Sequence, residues 1–529
     1  MNIFSRTKLF TAAAAFSLIA TGCTKKFDQI NTNKNSIPTV GATEFPFLFA
    51  KAQSVATVNQ GSYQVAQNLF ADQYAQYFAC VATYFPSDRN VIRMDWVGAN
   101  FNPYYTQMMP QLQTILTTAD PSSPEHALAD IVWVLGFHKA TDYWGPIPYF
   151  SAGEPATSVP YDSQDKIYDD FFKRLTAAVD VLNANTGAQP FGSFDLIYGG
   201  NVSKWIKFAN TLRLRLAVRI SNVDPARAKA EAEAAFAGGV LTTSPDDDAL
   251  ILRSLKGGDG NGLSIMSDWN EFRMSAAMES VLKGFDDPRL PVYFLPDGAT
   301  AENPDGNGQY DGVRNGLTST QLTETINLAG NNSHVGARWA SSPFGGVSNH
   351  LETPQNVIST AEAYFLRAEG ALLGWNMGGT AQELYEAGIT NSMKQWGITD
   401  GTEIQDYING TTQPVAPNDY LNSDPMTDIV VKWSADPEVQ KEQIATQKWL
   451  ALFPDGMEAW ADYRRSRYLN LYPVANSDNP DITNTSTQYI RRIPFLDSEK
   501  LVNGDEVEKA VDLLGGPDKV TTPLWWDKN

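Results

Sequence analysis

The stretch from Ser359 to Trp396 constrains the fold more than any other part of the chain. Ser359 stands three residues before Glu362, and Thr380 three before Glu383, the spacing of two capping boxes, so two helices begin there. Ala361, Tyr364, Phe365, Ala368, Ala371, Leu372 and Trp375 recur at three- and four-residue steps and form one apolar stripe. Tyr385, Gly388, Ile389, Met393 and Trp396 form a second stripe that faces back on the first. Such a pair cannot bury both stripes by itself and requires stacked neighbours.

The neighbours are visible in the same chain. Ser123-Pro124-Glu125 opens a helix running towards Asp142, with Pro at the first helical position. Ile167, Phe171, Leu175, Ala178 and Leu182 predict an amphipathic helix over 163–184, and Trp205, Phe208, Leu212 and Leu216 predict another between Ser203 and Ser221. Asp224-Pro225 caps an Ala-rich helix that stops at Gly238-Gly239. Ala381, Tyr385 and Gly388 fit the small-x3-aromatic-x2-small spacing of the second helix of a tetratricopeptide repeat. The expected fold class is therefore mostly α, a scaffold of tetratricopeptide-like helix pairs near 127–183, 205–237 and 359–397. Gln67 to Cys80 also reads as helix-like, which makes Cys80 a small core residue.

Residues 255–356 break this texture with Gly, Asn, Asp and Ser turn clusters, and 399–435 and 468–529 are likewise loop-rich. Long irregular segments on a helical scaffold are where binding usually resides. With 43% apolar and 11% aromatic residues there is ample material for a large core. Acidic residues outnumber basic ones 60 to 40, for a formal charge of −20, and no basic stripe exists, which argues against nucleic acid as a partner.

At the N-terminus, Arg6 and Lys8 precede an apolar run from Leu9 to Ala20, then Thr21, Gly22 and Cys23. This is a secretory leader, too short to span a bilayer, ending in small residues before a cysteine. The organisation expected is a leader over 1–22, with Cys23 acylated and first in the mature chain, and one helical domain over 23–529 carrying the loop-rich insertion at about 255–356. Acyl chains on Cys23 would tether the protein to a membrane.

Catalytic motifs were sought and fail on their spacing. No G-x-x-x-x-G-K-[ST] loop exists, and Gly346-Val347-Ser348-Asn349-His350 lacks the closing glycine of a hydrolase elbow. Ser280-Val281-Leu282-Lys283 and Ser477-Asp478-Asn479 lack the third motif of penicillin-recognising enzymes. The four histidines show no metal-ligand spacing. Asn303, Asp305, Asn307, Gln309 and Asp311 alternate like calcium-loop ligands, yet no Glu closes the loop, so a solvated turn is the plainer reading. No catalytic residue, cofactor or metal is assigned.

Aromatic residues in polar settings are more telling. Asp95-Trp96, Trp269-Asn270 and Arg338-Trp339 place flat rings beside hydrogen-bonding groups, the combination that suits the apolar faces and hydroxyl rims of sugars. Trp96, Trp269 and Trp339 are the expected stacking rings, with Asp95, Asn270 and Arg338 as polar contacts. Trp133, Trp205, Trp375 and Trp396 lie on helical stripes and belong to the core.

Six segments in order resemble one family. They are Phe27-Asp28-Gln29-Ile30-Asn31-Thr32-Asn33; Tyr143-Trp144-Gly145-Pro146-Ile147-Pro148-Tyr149; Pro160-Tyr161-Asp162-Ser163; Tyr198-Gly199-Gly200 leading to Trp205; Ala361-Glu362-Ala363-Tyr364-Phe365-Leu366-Arg367-Ala368-Glu369; and Gln447-Lys448-Trp449 through Arg464-Arg465. The chain resembles the SusD/RagB-type nutrient-binding outer-membrane lipoproteins, especially the group-two SusD-like subfamily. The resemblance implies a non-catalytic lipoprotein of the outer membrane that captures a glycan or oligosaccharide, or in some branches a peptide. It also implies a SusC-like TonB-dependent barrel transporter as partner. Lys25-Lys26 stands where surface-exported relatives commonly carry acidic residues, and Lys34 where a Pro is usual. The competing expectations are a glycoside hydrolase using two of the acidic groups, and an interaction protein with no small ligand.

Overall fold

The capping residues singled out above do start helices. In the computed structural model, which describes residues 41–528, Ser123, Asp224, Ser359 and Thr380 accept hydrogen bonds from the backbone N–H of His126, Arg227, Glu362 and Glu383. Thr380 and Glu383 close both halves of a capping box. Ser359 and Glu362 close only one, because the Glu362 carboxylate is drawn to Arg215 instead.

Numbering the helices of ten residues or more, α1 is Phe45–Ala56, α2 Met94–Pro103, α3 Met109–Thr118, α4 Pro124–Trp144 and α5 Gln164–Ala184. Next come α6 Val202–Arg219, α7 Pro225–Ala237, α8 Thr360–Leu372 and α9 Ala381–Gln395. The last are α10 Pro437–Leu452, α11 Gly456–Ser466 and α12 Gly504–Leu514. Four of the pairs stack: α4 with α5, α6 with α7, α8 with α9, and α10 with α11. α6 packs on α5 and on α8, and α8 in turn packs on α10, so each pair covers the stripe its neighbour leaves open. The fold is mostly α and tetratricopeptide-like, as expected, and Pro46–Asn529 forms one unit.

Buried charges knit the pairs together. Arg215 and Arg219 of α6 reach Glu362 of α8 and Glu458 of α11 at 2.6 Å, and Arg219 also lies 3.3 Å from Asp142 of α4. Lys448 of α10 bonds Glu369 of α8 and Asp462 of α11, each at 2.8 Å. Glu369 of the Ala361–Glu369 segment thus meets Lys448 and Arg465 of the Gln447–Arg465 segment across three helices. Isolated charges in such a place would be costly, and pairing with good geometry is what makes their burial tolerable.

Two small antiparallel ladders complete the frame. β1 (Phe78–Cys80) pairs with β3 (Phe272–Met274), with Cys80 opposite Phe272, and β2 (Ala249–Ile251) pairs with β4 (Gln355–Ile358). Cys80 is therefore on a strand, not on a continuation of the helix-like run, whose last helical residue is Tyr74. Its side chain is buried, as a core residue, and burial pushes its thiol well above the ordinary range. Residues 255–356 are not uniformly irregular either. Asn261 and Ser275 cap short helices at Gly262–Asp268 and Ala276–Gly284. The segment is anchored by Glu279, fully buried, which accepts from the backbone N–H groups of Gly312 and Asn418.

Candidate ligand-binding site

The β1–β3 register decides which loops become neighbours. Because Cys80 faces Phe272 and Val81 N–H bonds to the Glu271 carbonyl at 2.9 Å, the turn after β1 lies beside the residues that lead into β3. Tyr84 is thereby brought to Glu271, two residues along the chain from Trp269. Tyr84 donates its hydroxyl to Glu271 at 2.5 Å, and Gln64 donates to the other oxygen of the same carboxylate at 2.9 Å. The bond to Glu271 pushes the Tyr84 phenol up to about 12, so it stays a donor at neutral pH.

From Tyr84 the aromatic surface continues to Phe85, 4.6 Å between centroids, and then edge-on to Trp96 at 5.9 Å. Trp96 is held by Arg93, whose guanidinium carbon lies 4.3 Å from the ring centroid. Arg93 also donates to both oxygens of Asp95, at 3.1 and 2.8 Å, and holds that carboxyl below its usual range. Asp95 and Trp96 are thus parts of one unit at the start of α2. Trp269 is 50% exposed and Tyr84 67%, a large apolar area for two adjacent loops to leave in water. Asn270 adopts φ +60° and accepts from Arg273, which shapes the turn that presents Trp269.

The third expected pair stands elsewhere. Trp339 is only 3% exposed and packs edge-on against Trp396 at 5.6 Å and Phe453 at 5.7 Å. Its faces are covered, so as a stacking ring for a ligand it is corrected to a core residue. Arg338 lies over Trp339 and Trp396, at 5.1 and 4.9 Å, and packs with them rather than with the exposed patch. Trp133, Trp205, Trp375 and Trp396 are buried as expected.

Sequence reasoning missed Tyr84, Phe85, Arg93 and Glu271. The signal available was Tyr84-Phe85-Pro86, two adjacent rings before a proline, which cannot both turn inward in a tight turn. Asp95 also borders a groove of about 1430 Å³ that runs past Lys51, Asn102, Leu252 and Asp259. None of the described residues lining that groove is aromatic. It suits a polar chain, and its described walls offer no ring for stacking.

The alternating side chains at 303–311 form an ordinary turn: Asn303 donates to the Gly306 carbonyl, Asn307 accepts from the Gln309 N–H, and Asp311 pairs with Lys283 at 3.2 Å. No group of three or more potential metal ligands occurs among the described residues. No helix among them is long and apolar enough to cross a membrane. The leader, Cys23 and the Phe27–Asn33 segment lie outside the described residues.

Comparison with known proteins agrees with this architecture. The family model described as SusD-like, SusD and RagB outer membrane lipoprotein, matches residues 28–527. A chitin-binding SusD homologue from Flavobacterium johnsoniae is 37% identical, with a TM-score of 0.81 over 92% of this chain and 99% of that one. SusD-like proteins from Bacteroides thetaiotaomicron and Bacteroides uniformis are each 31% identical, with TM-scores of 0.79 over the same shares. No curated protein matches the chain in sequence. Since the family model spans nearly all of the chain and the solved relatives superpose on its stacked helix pairs, the chain belongs to the SusD/RagB family of outer-membrane lipoproteins.

Proposed function

We propose that this protein is a non-catalytic, lipid-anchored glycan-binding protein of the outer membrane that holds an oligosaccharide for a SusC-like TonB-dependent barrel transporter. The observation that carries this reading is the 37% identity to a chitin-binding homologue along nearly the whole of both chains. The exposed patch supplies a physical means. Tyr84, Phe85, Trp96 and Trp269 offer apolar ring faces, while Glu271, Gln64, Asp95 and Arg93 offer donors and acceptors around them, which suits the alternating faces and edges of a sugar chain. Oligomers of N-acetylglucosamine are the first ligands to try.

Isothermal titration with chitin oligomers, maltooligosaccharides and a mixture of short peptides tests the reading. Saturable binding of at least one glycan, with its chain length unchanged after prolonged incubation, is expected. Binding of peptides alone would overturn the glycan reading, and shortening of the bound glycan would overturn the non-catalytic one. Co-purification of a large barrel protein with the full lipidated chain is the corresponding expectation for the transporter.

A further inference from the structure

A second cavity, of about 260 Å³, lies between α11, the 73–90 region and the loop over 471–490. That is many times the roughly 30 Å³ share of a single water. Trp460, Tyr463 and Tyr489 are among its walls, and the exposed Ser486 and Thr487 stand on its solvent side. Gln73, Gln76 and Asn90 line the inner end, and they are 3%, 4% and 3% exposed.

What distinguishes this chamber is the number of its lining residues that carry a polar atom with no hydrogen-bond partner. Both ends of the Gln73 amide, the Gln76 Oε1, the Asn90 Nδ2 and the hydroxyls of Tyr74 and Tyr489 are all in this condition. Buried polar groups are almost always paired, and each one left unpaired costs on the order of 1–3 kcal/mol. Six orphaned atoms around one cavity are therefore a set, and they include donors, acceptors and hydroxyls that can be either. The one charged residue among its described walls, Arg467, stacks on Tyr489 at 4.0 Å and faces Asp527 at 3.7 Å, so it does not demand an anion.

We propose that this chamber is a binding site for one neutral polyhydroxylated ring, a single sugar residue, separate from the exposed aromatic patch. Gln73 and Gln76 would accept from ring hydroxyls, Asn90 and Gln73 would donate to them, and the Tyr489 ring would cover one apolar face of the sugar. The same chemistry could arrive as a free monosaccharide or as the end of an oligosaccharide, and the two are separable by the probe. The inference stands on the cavity and its orphaned atoms and does not rest on a ligand at the patch.

The test is titration of the full chain with glucose, galactose, N-acetylglucosamine and chitotriose, followed by tryptophan fluorescence, together with a crystal soaked in each sugar. Electron density for a sugar ring in the chamber is expected with at least one of them. A monosaccharide bound there identifies the free source, and chitotriose bound there alone identifies a chain end. Gln73→Leu should weaken that binding at least tenfold. Because a buried substitution can impair folding, Ser486→Trp at the mouth serves as the second variant, and it should weaken binding as much with an unchanged melting temperature. A chamber holding only ordered water in every soak would overturn the proposal, as would sugar affinities that neither variant alters.

Discussion

Arg215 and Glu362, 147 residues apart in the chain, form a two-point ion pair with both side chains 1% exposed: Nε donates to Oε1 at 2.6 Å and Nη2 to Oε2 at 2.7 Å. The pair joins α6 to the first turn of α8, and it takes Glu362 away from the capping role its spacing suggests. Removing one partner leaves the other charged and buried, which typically costs about 3–5 kcal/mol, whereas replacing both with apolar groups of similar size costs much less. Glu362→Gln should therefore lower the unfolding free energy by about that amount in urea titration, and Arg215→Met with Glu362→Met should recover most of the loss. The second outcome is helped by Glu458, which keeps Arg219 as a partner at 2.6 Å. Equal losses in the single and double variants would show that the pair acts only through packing.

The exposed and buried rings should separate cleanly when truncated. Tyr84→Ala and Trp269→Ala each remove a ring from the patch and should weaken glycan binding about tenfold, the equivalent of roughly 1.4 kcal/mol, with little change in melting temperature. Trp339→Ala, in contrast, empties a site among Trp396 and Phe453 and should cost about 3–5 kcal/mol of stability. Calorimetric titration and thermal melts on the same preparations check both. A Trp269→Ala variant with unaltered affinity for every glycan would remove that ring from the site.

The difference between Trp269 and Trp339 also shows where the sequence is legible. Apolar stripes announced α5, α6, α8 and α9, and the caps at Ser123, Asp224, Ser359 and Thr380 marked the starts of α4, α7, α8 and α9, because both signals depend on local spacing. The pair α10–α11 carries a weaker stripe: Gln443, Gln447 and Lys448 are buried there, satisfied by the preceding loop's carbonyls, by Tyr407 and by Glu369. Only the family motif marked that stretch beforehand. Within the exposed patch, Asp95-Trp96 and Trp269-Asn270 were legible because ring and polar neighbour adjoin in sequence. Tyr84 and Glu271 were not, because they meet only through the β1–β3 register, over 187 residues. Arg338-Trp339 has the same local composition as the other pairs, and only packing against Trp396 and Phe453 distinguishes it.

Gly456 opens α11 hard against the short helix Ala71–Tyr74. A methyl group there would lie 2.2 Å from Asp72 Oδ1 and 2.7 Å from its Cα, and the latter is backbone that cannot simply swing aside. Gly456→Ala should destabilise the protein by about 1–3 kcal/mol. Gly504, at the start of α12, has nothing within 4 Å of the same position, so Gly504→Ala should be neutral or stabilise by about 0.4–1 kcal/mol. Denaturant midpoints of the two variants measured side by side give the comparison, and similar shifts would refute the steric account.

Asp72 beside that glycine makes the stability depend on pH. Its carboxyl is fully buried, accepts from Gln67 at 3.0 Å and Tyr63 at 3.4 Å, and lies near Asp455. Burial, reinforced by the Asp455 charge and opposed by those hydrogen bonds, raises its pKa to about 8. In the unfolded chain an aspartate titrates near about 3.9. Between these values the folded state holds a proton that the unfolded state has released, so stability falls as pH rises. The contribution is complete below about 4 and is lost progressively up to about 8, with a slope of at most about 1.4 kcal/mol per pH unit. Asp72→Asn mimics the neutral carboxyl and should be close to the parent protein at about pH 4, then more stable than it at pH 9 by well over about 1 kcal/mol. Urea unfolding at both pH values measures the crossing; a variant that is no more stable than the parent at pH 9 would show that the buried carboxyl ionises freely in the folded protein.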